Sequence, residues 1–200
     1  MQDSREVNFQ QRLVIGMSGA SGAILGIEIL KILRAAPGWE SHLVISKGAE
    51  ETIRQETPYH PDEVKALADA VYSIHDIGAA IASGTFRTAG MVIVPCSMKT
   101  VAGVACGYSD NLLLRAADVT IKERRTLVLV ARECPLSPIH LRNLLALAEL
   151  GAIIMPPMLT YYNHPTAIAD LERHLVAKIL DPFRIEVSGF RRWGEPGSPS

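Results

Sequence analysis

Short, continuously apolar runs alternate with helical patterns along most of the sequence. The runs fall at 13–17, 42–46, 90–97, 126–131 and 152–155, with a weaker one at 71–75. A strand that is apolar on both faces has to be covered on both faces. Parallel strands with helices above and below meet that demand. Helical spacing occupies 24–33, 47–56, 62–70, 98–105, 137–150 and 166–180. In 137–150, Ser137 is placed to cap, Pro138 opens the first turn, and Leu141, Leu144, Leu145 and Ala148 share one face. The expected fold is α/β, a doubly wound, mostly parallel sheet with helices on both faces. One domain is expected over 12–182, after a disordered tail at 1–11 and before a C-terminal tail at 183–200.

Composition narrows the classes. Two hundred residues, 48% hydrophobic and 20% charged, suit one domain with a full core. A net charge of −1 argues against a nucleic-acid surface. Cys96, Cys106 and Cys134 are odd in number and lack C-x-x-C spacing, which argues against a zinc site or disulfide framework. The opening residues, MQDSREVNFQQ, lack the apolar core of a signal peptide, and no apolar run approaches membrane-spanning length. A cytoplasmic protein without membrane partners is expected.

In an open parallel sheet, ligands sit beyond the carboxyl ends of the strands. The informative residues are therefore 18–22, 46–47, 95–100, 132–135 and 156–163. The first of these lies in RLVIGMSGASGA, where a buried strand gives way to small residues and then a helix. Glycines at 16, 19, 22 and 26 match neither G-x-G-x-x-G nor a P-loop. A tight turn with nothing bound and a mononucleotide-type site both fit that stretch. VPCSMKT repeats the logic at 94–100: proline is expected to stop the strand and Ser97 to cap the next helix. The hydroxyls of Ser97 and Thr100 beside free helix N–H groups would cradle a phosphate without an obligatory lysine. Ordinary helix capping is the other reading.

Together, GASGA, VISKGAEETIRQET, PCSMKT, the block DNLLLRAADVTIKERRTLVLVARECPLSPIHLRNLL, YYNHP and RRWGE resemble the UbiX family of flavin prenyltransferases. The resemblance runs from about Arg12 to Glu195. It implies a Rossmann-like flavoprotein binding FMN, a homododecamer whose neighbouring subunits close the pocket with help from the tail. The family was long described as aromatic-acid decarboxylases. Its members attach a dimethylallyl group from a dimethylallyl phosphate to reduced FMN, making the cofactor of UbiD-type decarboxylases. By position, Gly19, Ala20 and Ser21 match the flavin-contacting turn, Ser46 the flavin-binding serine after strand two, and Arg132 the arginine of the P-R-E motif. Ser97, Met98, Lys99 and Thr100 match the phosphate-side loop, and Glu56 the acid paired with the turn serine. Arg115, Lys122, Glu133, Tyr162 and Lys178 match the cluster around the prenyl phosphate, and Trp193 the aromatic of the R-W-G motif. The sequence departs from the family pattern at Ala131, where proline is usual, at Lys178, where some members have arginine, and at Cys134.

The chemistry explains why such groups are needed. Breaking the allylic C–O bond leaves charge on phosphate, which Arg115, Lys122 and Lys178 would stabilise, with a hydrogen bond from Tyr162. Glu133 is placed to manage a proton on that phosphate, and Ser21 with Glu56 to relay the proton lost on ring closure. Basic side chains doing this work leave no call for a metal. Two other classes remain open: an FMN-dependent carboxy-lyase acting on a phenolic acid, and a non-catalytic flavin carrier. Neither requires so many cations around one anion.

Overall fold

From Leu13 to Met17 every residue of β1 (Gln11–Met17) is buried, as its apolar run demands. The computed structural model describes residues 11–190, 192 and 194. Around β1 lie β2 (Trp39–Ile45), β3 (Ala70–Tyr72), β4 (Gly90–Cys96), β5 (Thr126–Ala131) and β6 (Ile153–Ile154). All pair in parallel in the order β3-β2-β1-β4-β5-β6. The chain order reverses at β1, so the crevice between the carboxyl ends of β1 and β4 is the switch point where such sheets bind ligands.

Helices α1 (Ala23–Ala35), α2 (Lys47–Glu56), α3 (Pro61–Lys65), α4 (Met98–Ala105), α5 (Leu112–Lys122), α6 (Pro138–Glu149) and α7 (Ile168–Leu180) cover the sheet. Side chains alternate across each strand. Leu13, Ile15 and Met17 join Val92, Val94, Val128 and Val130 in a core closed by α1 and α7. Val14, Met91, Ile93, Leu127 and Leu129 face the other way, into a core closed by α4, α5 and α6. Each fully buried aliphatic side chain contributes about 1.5–3 kcal/mol relative to exposure.

Three local expectations are corrected. Pro95 does not stop β4 but lies within it, where the pairing with β5 shifts register between Ile93 and Cys96. A residue without an N–H is tolerated at such an irregularity. The helix expected over 62–70 is the shorter α3, which ends at Lys65, and Ala70 belongs to β3 instead. On α6, capped by Ser137 as expected, the core face is Leu144 and Leu147, whereas Leu141 and Leu145 are 54% and 60% exposed. The apolar residues of that helix are too many for one face, and the chain's own core takes only part of them.

Candidate functional site

Three turns meet at the carboxyl edge of the sheet, and Ser18 fastens two of them. It is buried, its N–H donates to the Pro95 carbonyl at 3.1 Å, and its Oγ donates to the same oxygen at 3.1 Å. In return the Ser97 N–H donates to Ser18 Oγ at 2.8 Å. The Arg132 N–H reaches the Cys96 carbonyl at 3.1 Å, so the turn after β5 is held in the same line. Neither the sequence motifs nor the family resemblance assigns Ser18 a role. The signal was there: a polar residue continuing the inward-facing series of β1 has to find partners.

Ser97 caps α4. Its Oγ accepts from the Thr100 N–H at 3.3 Å and lies 3.1 Å from Thr100 Oγ1. One hydroxyl proton serves that contact, which leaves the other for an acceptor outside. With the N–H groups of the first turn of α4, this edge suits a phosphate group. Met98 is buried and packs into the core, while Lys99 is exposed.

The turn after β1 packs against the start of α2. A Cβ on Gly19 would meet Gly48 Cα at 3.0 Å, so backbone touches backbone there. Ala20 and Ser21 are half-buried beside it. Ser46 caps α2, accepting from the Ala49 N–H at 3.2 Å, and its own proton is not needed for that bond.

Glu56, the last residue of α2, caps α1 from across the turn. Its Oε2 accepts from the Gly22 N–H at 2.9 Å and the Ala23 N–H at 3.4 Å. Gly22, at φ +105°, occupies the N-cap without a side chain to offer, so the carboxylate does that work. The carboxylate is one residue from Ser21, but among the described residues the Ser21 hydroxyl has no hydrogen bond to it.

Beyond β6 lies a cavity of about 340 Å³ whose lining includes Met155, Pro156, Tyr162, His174, Lys178 and Arg192. Two members of the expected phosphate cluster, Tyr162 and Lys178, therefore share one wall. Tyr162 Oη lies 3.3 Å from His174 Nε2. Lys178 Nζ is 3.8 Å from Asp181 Oδ2 and its side chain is 60% exposed. Burial, aided by the Lys178 charge, pushes the His174 pKa below its ordinary value.

The other members are not brought to this cavity within one chain. Arg115 is half-exposed on α5 and bonds Asp118 at 2.7 Å. Lys122 ends α5 and pairs with Glu123 at 2.5 Å, next to Gly84. That end of α5 leads into Thr126, the start of β5, so Lys122 stands at the amino edge of the sheet. The carboxyl edge is one strand length away, about 17 Å. Glu133 is exposed, its carboxylate taking the Cys134 N–H at 3.1 Å, and Arg132 is exposed beside it. Trp193 lies outside the described residues. No group of three or more His, Cys, Asp or Glu side chains able to hold a metal occurs among the described residues. Nor, among them, is any helix long and apolar enough to cross a membrane.

The chain matches the Flavoprotein family over residues 1–182. It is 55% identical over 183 residues to the flavin prenyltransferase LpdB of Lactiplantibacillus plantarum, covering 92% of this chain and 98% of that one. This chain belongs to the UbiX-like flavin prenyltransferase family. Two solved structures place its fold in the same family. A dodecameric FMN-dependent UbiX-like decarboxylase from Escherichia coli O157:H7 is 52% identical, with a TM-score of 0.91 over 92% of this chain and all of the other. AnUbiX (PadA1), solved with FMN and dimethylallyl pyrophosphate, is 50% identical, with a TM-score of 0.90 over 93% of this chain and 98% of the other. The doubly wound sheet of this UbiX-family chain is the α/β fold expected from its alternating pattern, and its flavoprotein type is the one the resemblance implied.

Proposed function

We propose that this chain is a flavin prenyltransferase that joins a dimethylallyl group from a dimethylallyl phosphate to reduced FMN. The observation that carries this is the pairing of two anion-directed features on one sheet edge. One is the Ser97–Thr100 cap at the switch point; the other is the Tyr162–Lys178 wall beyond β6. A flavin phosphate and a prenyl phosphate need one each. A relative at 50% identity that binds both FMN and dimethylallyl pyrophosphate supports the same assignment.

The residues fit FMN. The Ser97 and Thr100 hydroxyls and the N–H groups of α4 receive its phosphate, and Ser46 has a proton to donate. The close contact of Gly19 with Gly48 leaves a floor of backbone and small side chains, along Gly19, Ala20 and Ser21, against which a flat ring can lie. Arg132, exposed directly after β5, is a further cation at that edge, along with Lys47 and Lys99. When bound, reduced FMN supplies the nucleophile to which the dimethylallyl group is joined.

The chain's own groups act on the donor. Lys178 offers positive charge to the phosphate and Tyr162 a hydrogen bond, both of which strengthen as the C–O bond breaks. Glu133 takes up or returns a proton on the departing phosphate. The Ser21 hydroxyl carries a proton towards Glu56, whose carboxylate is held in place by the α1 cap. Arg115 and Lys122 contribute from a neighbouring copy, because their own chain keeps Lys122 at the far edge. The exposed stripe of Leu141 and Leu145 on α6 suits such packing, and a dodecamer like that of the E. coli relative is the favoured assembly. The product serves a UbiD-type decarboxylase in the cytoplasm.

The test is the mass of the flavin released after incubation with reduced FMN and dimethylallyl monophosphate or diphosphate. A mass raised by one dimethylallyl unit supports the reading. Unchanged flavin mass, together with CO₂ released from a phenolic acid without any prenyl donor, would overturn it in favour of a carboxy-lyase.

A further inference from the structure

The turn from β4 into α4 is pinned at three successive residues. The Pro95 carbonyl accepts from the Ser18 N–H and from Ser18 Oγ, both at 3.1 Å. The Cys96 carbonyl accepts from the Arg132 N–H at 3.1 Å, and the Ser97 N–H donates to Ser18 Oγ at 2.8 Å. The two backbone donors are there whatever side chains stand at 18 and 132. Only the bonds of Ser18 Oγ depend on the sequence. Ser18 is 2% exposed, at a position where packing alone would accept alanine. A buried hydroxyl costs free energy unless it is bonded, and this one is bonded to the cradle.

The Ser97 N–H and the Ser97 hydroxyl hang from the same Cα, so holding one orients the other. That hydroxyl caps α4 through the Thr100 N–H, touches Thr100 Oγ1 at 3.1 Å and lies 3.4 Å from Ser18 Oγ. With the Ser97 N–H spent on Ser18, the first turn of α4 offers the N–H groups of Met98 and Lys99. Neither has a hydrogen bond among the described residues.

We propose that Ser18 is a positioning residue for the flavin phosphate: its Oγ holds the Ser97 N–H inward, so that the Ser97 hydroxyl and the Met98 and Lys99 N–H groups meet the ligand. The inference rests on the assignment of the Ser97–Thr100 cradle to that phosphate. Being buried, Ser18 acts through Ser97.

The experiment compares Ser18→Ala, Ser18→Thr, Ser97→Ala and the double variant Ser18→Ala/Ser97→Ala. Each full-length protein is freed of flavin and titrated with FMN and with riboflavin, which has the same ring and ribityl chain but no phosphate. Ser18→Ala should weaken FMN about tenfold, the size of one lost hydrogen bond to a charged ligand, and leave riboflavin within about threefold. Ser18→Thr keeps the hydroxyl and should keep the ratio of the two affinities, even where the added methyl group lowers both. The double variant should bind FMN no more weakly than Ser97→Ala alone, since both changes act on one hydroxyl. Equal losses of FMN and riboflavin in Ser18→Ala would overturn the inference, because a merely structural residue spares neither. Unchanged or tighter FMN binding would overturn it too, as would additive losses in the double variant or an altered ratio in Ser18→Thr. Should Ser18→Ala not fold, Ser18→Cys, similar in size and a weak acceptor, is titrated in its place against the same expected ratio. An unchanged FMN affinity in Ser97→Ala removes the cradle assignment and the inference together. A loss in Ser97→Ala with none in Ser18→Ala removes the role of Ser18 alone.

Discussion

The carboxylate of Glu56 holds the Gly22 N–H at 2.9 Å, so the last residue of α2 caps the first turn of α1. This cap places a carboxylate beside the turn after β1 without asking the turn itself for a side chain. Glu56→Gln keeps an oxygen for the Gly22 and Ala23 N–H groups and loses the charge at the helix N-terminus. That charge is worth about 0.3–1 kcal/mol. The variant should fold with a small drop in Tm and retain FMN, while its yield of prenylated flavin falls at least about tenfold. Released-flavin mass and a melting curve measure both. A normal yield would sink the relay assigned to Ser21 and Glu56.

Ser97 and Thr100 are expected to act together on the flavin phosphate. Replacing both by alanine removes the cap of α4 and the spare hydroxyl proton at once. The cap costs about 1 kcal/mol of stability. Flavin absorbance of the purified protein should disappear, while the fold survives. A yellow double variant would move the phosphate elsewhere.

Lys178 tests the donor without touching the flavin. Its ammonium is a point charge whose ion pair among the described residues is a loose one, to Asp181 at 3.8 Å, so it remains available to a ligand. Lys178→Met should weaken use of dimethylallyl phosphate by about 10- to 100-fold, since charge-assisted bonds are worth roughly 1.5–3 kcal/mol. FMN occupancy should be unchanged. Lys178→Arg should be mild or improve donor KM. Equal loss in both variants would show that shape, not charge, matters at this position.

His42 predicts an acid-side loss of stability away from the site. It is buried, with Nδ1 at 2.8 Å from Tyr72 Oη and Nε2 at 3.5 Å from Glu40. Burial lowers its pKa from the ordinary 6.5, against the pull of Glu40. The unfolded chain therefore binds the proton first as pH falls through 6.5, and stability drops below that point. His174, shifted the same way, adds to the slope. Denaturant midpoints measured between pH 8 and 5 should fall towards acid, and less so in His42→Gln. An unchanged slope in that variant would assign the effect to other groups.

The sheet was readable because its strands are apolar on both faces, a pattern that few alternatives satisfy. The turns were readable for the same reason in reverse: Ser46, Ser97 and Ser137 sit where a helix must begin, and each caps it. Less was legible where partners are far apart in sequence. The bonds from Ser18 to Pro95 and Ser97 join positions 77 and 79 residues apart, and spacing carries no trace of them. Glu56 could be matched to the turn serine by resemblance, but its bond to the Gly22 backbone follows only from the geometry of α1. The exposed leucines of α6 show another limit, because periodicity counts apolar positions and cannot say which surface covers them.

Lys122 ends its helix at the amino edge of the sheet, a strand's length from the cradle of its own chain. On the proposed reading, a chain lends that lysine to its neighbour and borrows one in return. A substitution at Lys122 is then carried by one polypeptide and felt in the pocket of another. Mixed assemblies of two individually inactive chains, one lacking Lys122 and one lacking the Ser97–Thr100 cradle, would hold some intact pockets. On that reading, the unit on which selection acts at this site is the contact between copies.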